Sequence, residues 1–372
     1  MPVALPIRRL FGPRTRTAAP TSPPDRRRAK RVVVWALLTF VALQLGTGLA
    51  SEWFPRIRDP LYGDKAAKLR QRIAAFPDRP RVVMLGSSRT GFGFHGLRIE
   101  EQLAAIGQPA VAFNFGIPAS GPVTHRLYLN RLIESGMTPN LLLVEVLPSM
   151  LADDPAGPLE RLWFFSDSVT YPEVGELLRY GFPKEPTEER YVKSVLLPWY
   201  ALRFQILSRF LGSWLPWQVR FDWSRGSDAC GWGTPASPDV TPELYAIGLN
   251  QARLEYAAVL GGLRPGGGAV LALRDLLTTC REHRIPVRLV LMPEGSMFPG
   301  WYGPDVQNRL RILLDGLSRE YDAPLIDARD WLHDSAFMDG HHMLRRGAEA
   351  YSDRLSRDVI APNLRGGSEN HR

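Results

Sequence analysis

The residues that could do chemistry together stand at two distant places in the chain. The first is RVVMLGSSRTGFGF, Arg81 to Phe94, where an apolar run stops at Gly86-Ser87-Ser88-Arg89. The second is FMDGHHMLRRGAEAY, which carries Asp339, His341 and His342. An acid three residues before a histidine can bend back to accept its Nδ1–H, which leaves Nε2 to take the proton of a serine hydroxyl. Ser88 as nucleophile, His342 as base and Asp339 as orienter would make a triad for acyl transfer. Each has a plainer use. A serine in such a turn can be a helix N-cap, a part that suits Ser87, and Asp339 can serve a helix dipole. His341 replaces His342 if the loop register differs by one.

The triad works only if the fold brings both segments to one rim. Val82–Leu85, Ala110–Phe115 and Leu141–Leu147 read as short strands, separated by helical spacing over Leu97–Ile106 and in VTHRLYLNRLIESG. The rhythm returns near the C-terminus. A helix over Ala269–His283, a strand over Val287–Met292, a helix over Val306–Tyr321, the short strand PLIDA and a last helix over Arg346–Val359 follow in turn. Short apolar strands alternating with helices predict a parallel sheet covered on both faces, here a three-layer α/β fold of about five strands. In such sheets ligands bind beyond the carboxyl ends of the strands, where Gly86-Ser87-Ser88 falls. Backbone N–H groups of the turn and helix after it can face developing negative charge.

Two further blocks complete a known pattern. Residues 82–122 and 323–352 resemble the SGNH (GDSL-like) hydrolase superfamily of esterases and acyltransferases. Its Gly-Asp-Ser block reads Gly86-Ser87-Ser88 here, and its Asp-x-x-His block reads Asp339 to His342 with Gly347 after it. Its second block, an Asn-x-Gly, reads Asn114 and Gly116 in NFGIPASG. The resemblance implies a flavodoxin-like SGNH fold and an oxyanion hole built by the amides of Ser88 and Gly116. The family's third block commonly supplies an Asn donor, and LVEVLPSM has none. Arg89 beside the nucleophile, Asn114, and Glu294 after the fourth strand are the candidate substrate contacts. An arginine in that place is also commonly a solvated surface residue. His95 and Glu145 fall on the rim without an assigned role.

The ends of the chain set the compartment. The formal charge of +8 is carried by a tail: residues 1–31 hold nine Lys or Arg and one acid, and the remainder balances at 37 of each sign. A diffuse nucleic-acid-binding surface is therefore not supported. Val32–Ala50 is 19 residues without a charge, and about 20 apolar residues span a hydrocarbon core. The run exceeds a usual signal-peptide core, so it reads as an uncleaved signal anchor, with a cleaved signal peptide as the rival. The positive-inside rule keeps residues 1–31 cytoplasmic and places the rest in the periplasm or at the cell surface.

The expected organisation is a basic disordered tail over 1–31, a span over 32–50, a stalk and lead-in over 51–80 with a helix around Lys65–Phe76, an α/β domain over 81–150 and 268–360, a mostly helical insertion over 151–267, and a disordered tail over 361–372. The insertion is rich in Trp, Tyr, Phe and Pro. Helical spacing favours a small extra core for its aromatics, with a substrate groove or a membrane-resting surface as the other uses. Two cysteines, Cys230 and Cys280, would share an oxidising compartment that permits a disulfide, which spacing does not decide. No metal, nucleotide or redox cofactor is implied.

The membrane anchor and the degenerate third block look most like the superfamily branch acting on cell-surface polymers. Its relatives include alginate-type O-acetyltransferases and anchored proteins of D-alanine transfer to teichoic acids. The resemblance therefore implies an anchored, extracytoplasmic serine esterase or O-acyltransferase acting on an acylated envelope glycan or polysaccharide, working beside envelope-polysaccharide machinery. A non-catalytic envelope-assembly or carbohydrate-binding protein on the same fold is the alternative.

Overall fold

The structure, a computed structural model, describes residues 26–216, 219–221, 226–233 and 239–369. Most of the basic tail lies outside them. Helix Arg26–Trp53 is long and apolar enough to cross a bilayer, and no residue of its apolar window is buried. Contacts divide the chain into two units at Gly46, the second running from Thr47 onward.

The second unit is built on a five-stranded, all-parallel sheet. Its strands are β1 (Arg81–Gly86), β2 (Val111–Gly116), β3 (Leu141–Glu145), β4 (Val287–Leu291) and β5 (Leu325–Asp327), in the order β2-β1-β3-β4-β5. The continuous apolar runs follow from burial on both faces. In β1, Val83 and Leu85 enter one core while Val82 and Met84 enter the other, and β3 repeats this with Leu142 and Val144 against Leu141 and Leu143. Helices Pro122–Glu134, Gly267–Glu282 and Val306–Tyr321 close the larger core. Helices Gly96–Ala105 and Arg345–Leu355 close the other. Each fully buried Leu or Val contributes about 1.5–3 kcal/mol, so the two cores hold the strand ends rigidly. The order reverses between β1 and β3, and that switch point is where such sheets place ligands.

Two expectations are corrected. Residues 51–80 pack onto the domain rather than standing off as a stalk: helix Pro60–Ala75, which covers most of the helix expected around Lys65–Phe76, sends Leu61, Tyr62, Ala66 and Leu69 into the larger core. Residues 361–369 form helix Ala361–Glu369 rather than a disordered tail. Cys230 and Cys280 are both unpaired and buried, and burial pushes the Cys280 thiol up to about 12. The insertion is helical as expected, yet its aromatics divide. Tyr180, Phe182, Phe221 and Trp232 are buried, whereas Trp163, Trp199, Phe210 and Trp214 are exposed.

Candidate active site

β1 delivers Gly86 to the switch point, and the chain turns at Ser87 into the short helix Ser88–Gly93. Ser87 is the N-cap, its Oγ accepting from Arg89 N at 3.1 Å. Ser87 and Arg89 are buried while Ser88 between them is only partly so, which leaves Ser88 the open side chain of the turn. Ser88 Oγ lies 2.7 Å from His342 Nε2, and His342 Nδ1 lies 2.7 Å from Asp339 Oδ2. Asp339 accepts through oxygen, so Nδ1 carries the proton and Nε2 is the acceptor facing Ser88. Asp339 Oδ1 also accepts the backbone N–H of His342 at 2.7 Å and of His341 at 3.2 Å, which fixes the carboxylate against the loop. Burial works to raise the Asp339 carboxyl, but its bond to the His342 ring and both imidazoles hold it well below the usual carboxylate range.

The two histidines are sorted by burial. His342 faces Ser88 and packs edge-on against Phe92. His341 is 3% exposed, lies against Tyr256 and Phe298, and is kept from charging first by burial and then by His342. Its neighbour in acid behaviour is His125, fully buried in the first turn of helix Pro122–Glu134, where burial lowers it to about 3. Both rings are neutral in the fold, while an unfolded histidine titrates near 6.5. Their stabilising contribution is complete above that pH and is lost below it, as the unfolded chain takes up protons the fold refuses. Each group steepens the decline by about 1.4 kcal/mol per pH unit. Urea unfolding followed downward from neutral pH should show this acid limb, and His125→Gln should flatten it.

Glu145 was a rim residue without a role in the sequence, and the structure gives it one. The β1–β3 register sets it level with Gly86, where its two oxygens accept four hydrogen bonds from the turn that carries Ser88. The donors are Ser87 Oγ (2.7 Å), Ser87 N (2.7 Å), Thr90 Oγ1 (2.6 Å) and Thr90 N (3.3 Å). Gly86 makes the approach possible, because a Cβ there would fall 2.0 Å from Thr90 Oγ1 and 2.4 Å from Glu145 Oε2. The signal in the sequence was a lone carboxyl ending the apolar run LLLVE.

Four of the candidate roles are corrected by burial and committed hydrogen bonds. Asn114 is fully buried, and its Nδ2 donates to the carbonyls of Thr90, Gly91 and Phe94 at 2.8, 3.1 and 2.8 Å. Its Oδ1 accepts Gly116 N–H at 2.8 Å, so Gly116 has no free amide for an oxyanion and Asn114 no free group for a substrate. Arg89 is neither solvated nor open to a ligand: its guanidinium pairs with Glu294 at 3.0 Å, both side chains at most 3% exposed. Glu294 is held further by Tyr302 Oη at 2.9 Å. Two amides remain. Among the described residues neither Ser88 N–H nor Ala119 N–H makes a hydrogen bond. Ala119 holds the left-handed conformation at φ +57°, a strain that is stored where surrounding structure enforces it. Its loop is enforced by Ile117 N and Ser120 Oγ, each donating to Gly86 O at 2.8 Å.

The insertion reaches the site at two points. Trp232 donates from its indole to Phe92 O at 2.6 Å and stacks on His95, bracing helix Ser88–Gly93. Helix Pro242–Gly261 presents Gly248 to the acid, where an added Cβ would lie 2.7 Å from Asp339 Cβ. Gly248→Ala should therefore push Asp339 off His342 and lower kcat about 10–100-fold with a near wild-type circular dichroism spectrum. Unchanged kcat would show that the helix gives way instead. A recess of about 680 Å³ opens beside the triad loop, lined by Ser296, Asp327, Arg329, Asp330 and Asp334 among others. Ser88 is not part of its wall. Asp339, His341 and His342 also bring ligand atoms within 4.8 Å of one another, but Asp339 and His342 are already committed to the chain of hydrogen bonds that reaches Ser88.

Comparison with protein-family models and with curated proteins gives no match for this chain.

Proposed function

We propose that the protein is a membrane-anchored, extracytoplasmic serine esterase or O-acyltransferase of SGNH type. The observation that carries this is the unbroken Ser88–His342–Asp339 relay, 2.7 Å at each step, standing at the switch point of a parallel sheet. Ser88 Oγ attacks an acyl carbonyl as His342 Nε2 takes the hydroxyl proton. The oxyanion that forms is met by the amides of Ser88 and Ala119, in place of Gly116. Collapse expels the alcohol, which takes the proton back from His342 and leaves an acyl-Ser88 ester. Water or a sugar hydroxyl then gives its proton to His342 and attacks the ester carbonyl, and His342 passes that proton to Ser88 Oγ as the ester bond breaks, which restores the free serine.

The acylated substrate is an envelope glycan or polysaccharide. The recess carries Asp327, Asp330, Asp334 and Arg329 in its wall, side chains that suit a hydroxyl-rich ligand. Helix Arg26–Trp53 is the single-pass anchor, its basic end in the cytoplasm and Ser51 onward in the periplasm or at the cell surface. Envelope-polysaccharide machinery is the partner class that such a location and substrate call for.

One observation favours a second reading. The Gly116 amide is taken by Asn114, so the donor that the motif implied is not free, as in a non-catalytic glycan-binding protein on this fold. Intact-mass analysis of the full chain after p-nitrophenyl acetate separates the two. The enzymatic reading requires an acetyl group on Ser88 that is discharged by water or by an added glycan acceptor. Folded protein that never gains the adduct supports the binding reading.

A further inference from the structure

Helices exposed to water turn their apolar side chains inward. Between Lys184 and Trp214 much of this pattern is reversed. Thr187, Ser194, Gln205 and Ser208 face the protein, each at most 2% exposed. Leu196, Trp199, Tyr200, Phe210 and Trp214 face outward, at 66%, 55%, 57%, 78% and 81% exposure. The inward polar groups have built partners: Gln205 Nε2 donates to Asp167 at 2.8 Å, and Ser208 Oγ accepts Phe221 N at 3.1 Å. Arg209 reaches Asp64 of helix Pro60–Ala75 at 3.3 Å. The apolar side chains are thus held outward by specific contacts beneath them.

This face adjoins the foot of the apolar helix. The chain from Thr47 onward belongs to the same compact unit. Gly48 lies against the insertion, with its Cβ position 3.7 Å from Pro198 Cγ. Arg58 joins the two by donating to Val169 O at 2.9 Å and to Ser51 Oγ at 3.5 Å. Leu49, Trp53 and Phe54 add exposed apolar surface at this foot. The Arg203 guanidinium lies over Tyr200 and Phe204, at 4.2 and 4.4 Å from their ring centroids. Trp and Tyr with an overlying Arg, next to the point where a span ends, is the composition of a membrane–water interface.

We propose that the outward face of residues 196–214 is seated in the lipid headgroup–acyl boundary of the membrane that holds the anchor, so that the unit carrying Ser88 is docked on the bilayer and not only tethered to it. A second copy of the chain would also cover apolar side chains. Continuity with the foot of the span favours lipid. The inference rests on the anchoring part of the proposed function and not on its chemistry.

The test uses the full chain in phosphatidylcholine–phosphatidylglycerol nanodiscs. Single nitroxides are placed through Val41→Cys, Leu196→Cys, Phe210→Cys and, as the water-facing control, Ile312→Cys. Cys230 and Cys280 are buried and their thiols raised, so the introduced cysteine is the one labelled. Labels at 41, 196 and 210 should be open to oxygen and shielded from a water-soluble nickel chelate, with an accessibility ratio several-fold above that at 312. If 41 is in lipid but 196 and 210 behave like 312, the docking is overturned and the anchor stands. Shielding of 196 and 210 from both reagents means coverage by protein and overturns it as well. A water-exposed label at 41 removes anchor and docking together.

Discussion

Ser88→Ala is expected to lower kcat for ester cleavage by about 10⁴ or more while the protein stays folded, and His342→Ala should do nearly the same. The two losses should not multiply in the double variant, because either one leaves the relay without a function. The structural cost of removing Ser88 is small: its Oγ bonds His342 in a partly open position, and the cap that starts its helix belongs to Ser87. Asp339→Asn should cost about 10⁴ for a different reason. The amide can donate to Nδ1 and hold the imidazole in the wrong tautomer, with a proton on the nitrogen that faces Ser88. p-Nitrophenyl acetate turnover beside circular dichroism separates these outcomes from unfolding. A Ser88→Ala protein that keeps wild-type kcat would place the nucleophile elsewhere.

The second large effect is expected at a residue that never touches substrate. Glu145→Ala removes the acceptor of four hydrogen bonds and leaves buried donors of Ser87 and Thr90 without partners. An unsatisfied buried donor costs about 1–3 kcal/mol, so the variant should lose about 3 kcal/mol or more of stability. Glu145→Gln fills the same space but turns an NH₂ toward a turn that itself donates. It should stay folded and lose about 10²-fold in kcat through a displaced Ser88, with KM little changed. Urea unfolding and steady-state kinetics on both variants check this. If the glutamine variant loses stability but keeps kcat, Glu145 braces the fold without positioning the nucleophile.

The layout of the site was legible because strands buried on both faces leave unbroken apolar runs. Each run ends in something a core would not tolerate: Ser87 and Ser88 after β1, and Glu145 closing β3. Asp339 and His342 were legible because three residues is the distance over which a loop acid can reach back. What stayed hidden depends on contacts between remote segments. Arg89 and Glu294 are 205 positions apart, and nothing in either neighbourhood shows that they neutralise each other in the core. Asn114 and Gly116 matched a motif, but a motif does not show where a side chain turns, and Asn114 turned onto the Gly116 amide. Gly248 lies in a long helix far from the triad in sequence and matters only because that helix crosses Asp339. In the insertion, the aromatic residues were legible as helical, but periodicity gives the face and not whether it points in or out.

The central claim is that Ser88 is an activated nucleophile, and a fluorophosphonate probe tests it most directly. The full chain in nanodiscs, wild type beside Ser88→Ala and His342→Ala, is labelled next to an active serine hydrolase. The account predicts that the wild type is labelled on Ser88, that Ser88→Ala is not labelled, and that His342→Ala reacts far more slowly. Folded wild-type protein that stays unlabelled while the control reacts would contradict it, and the aligned triad would then belong to a protein that binds without catalysis.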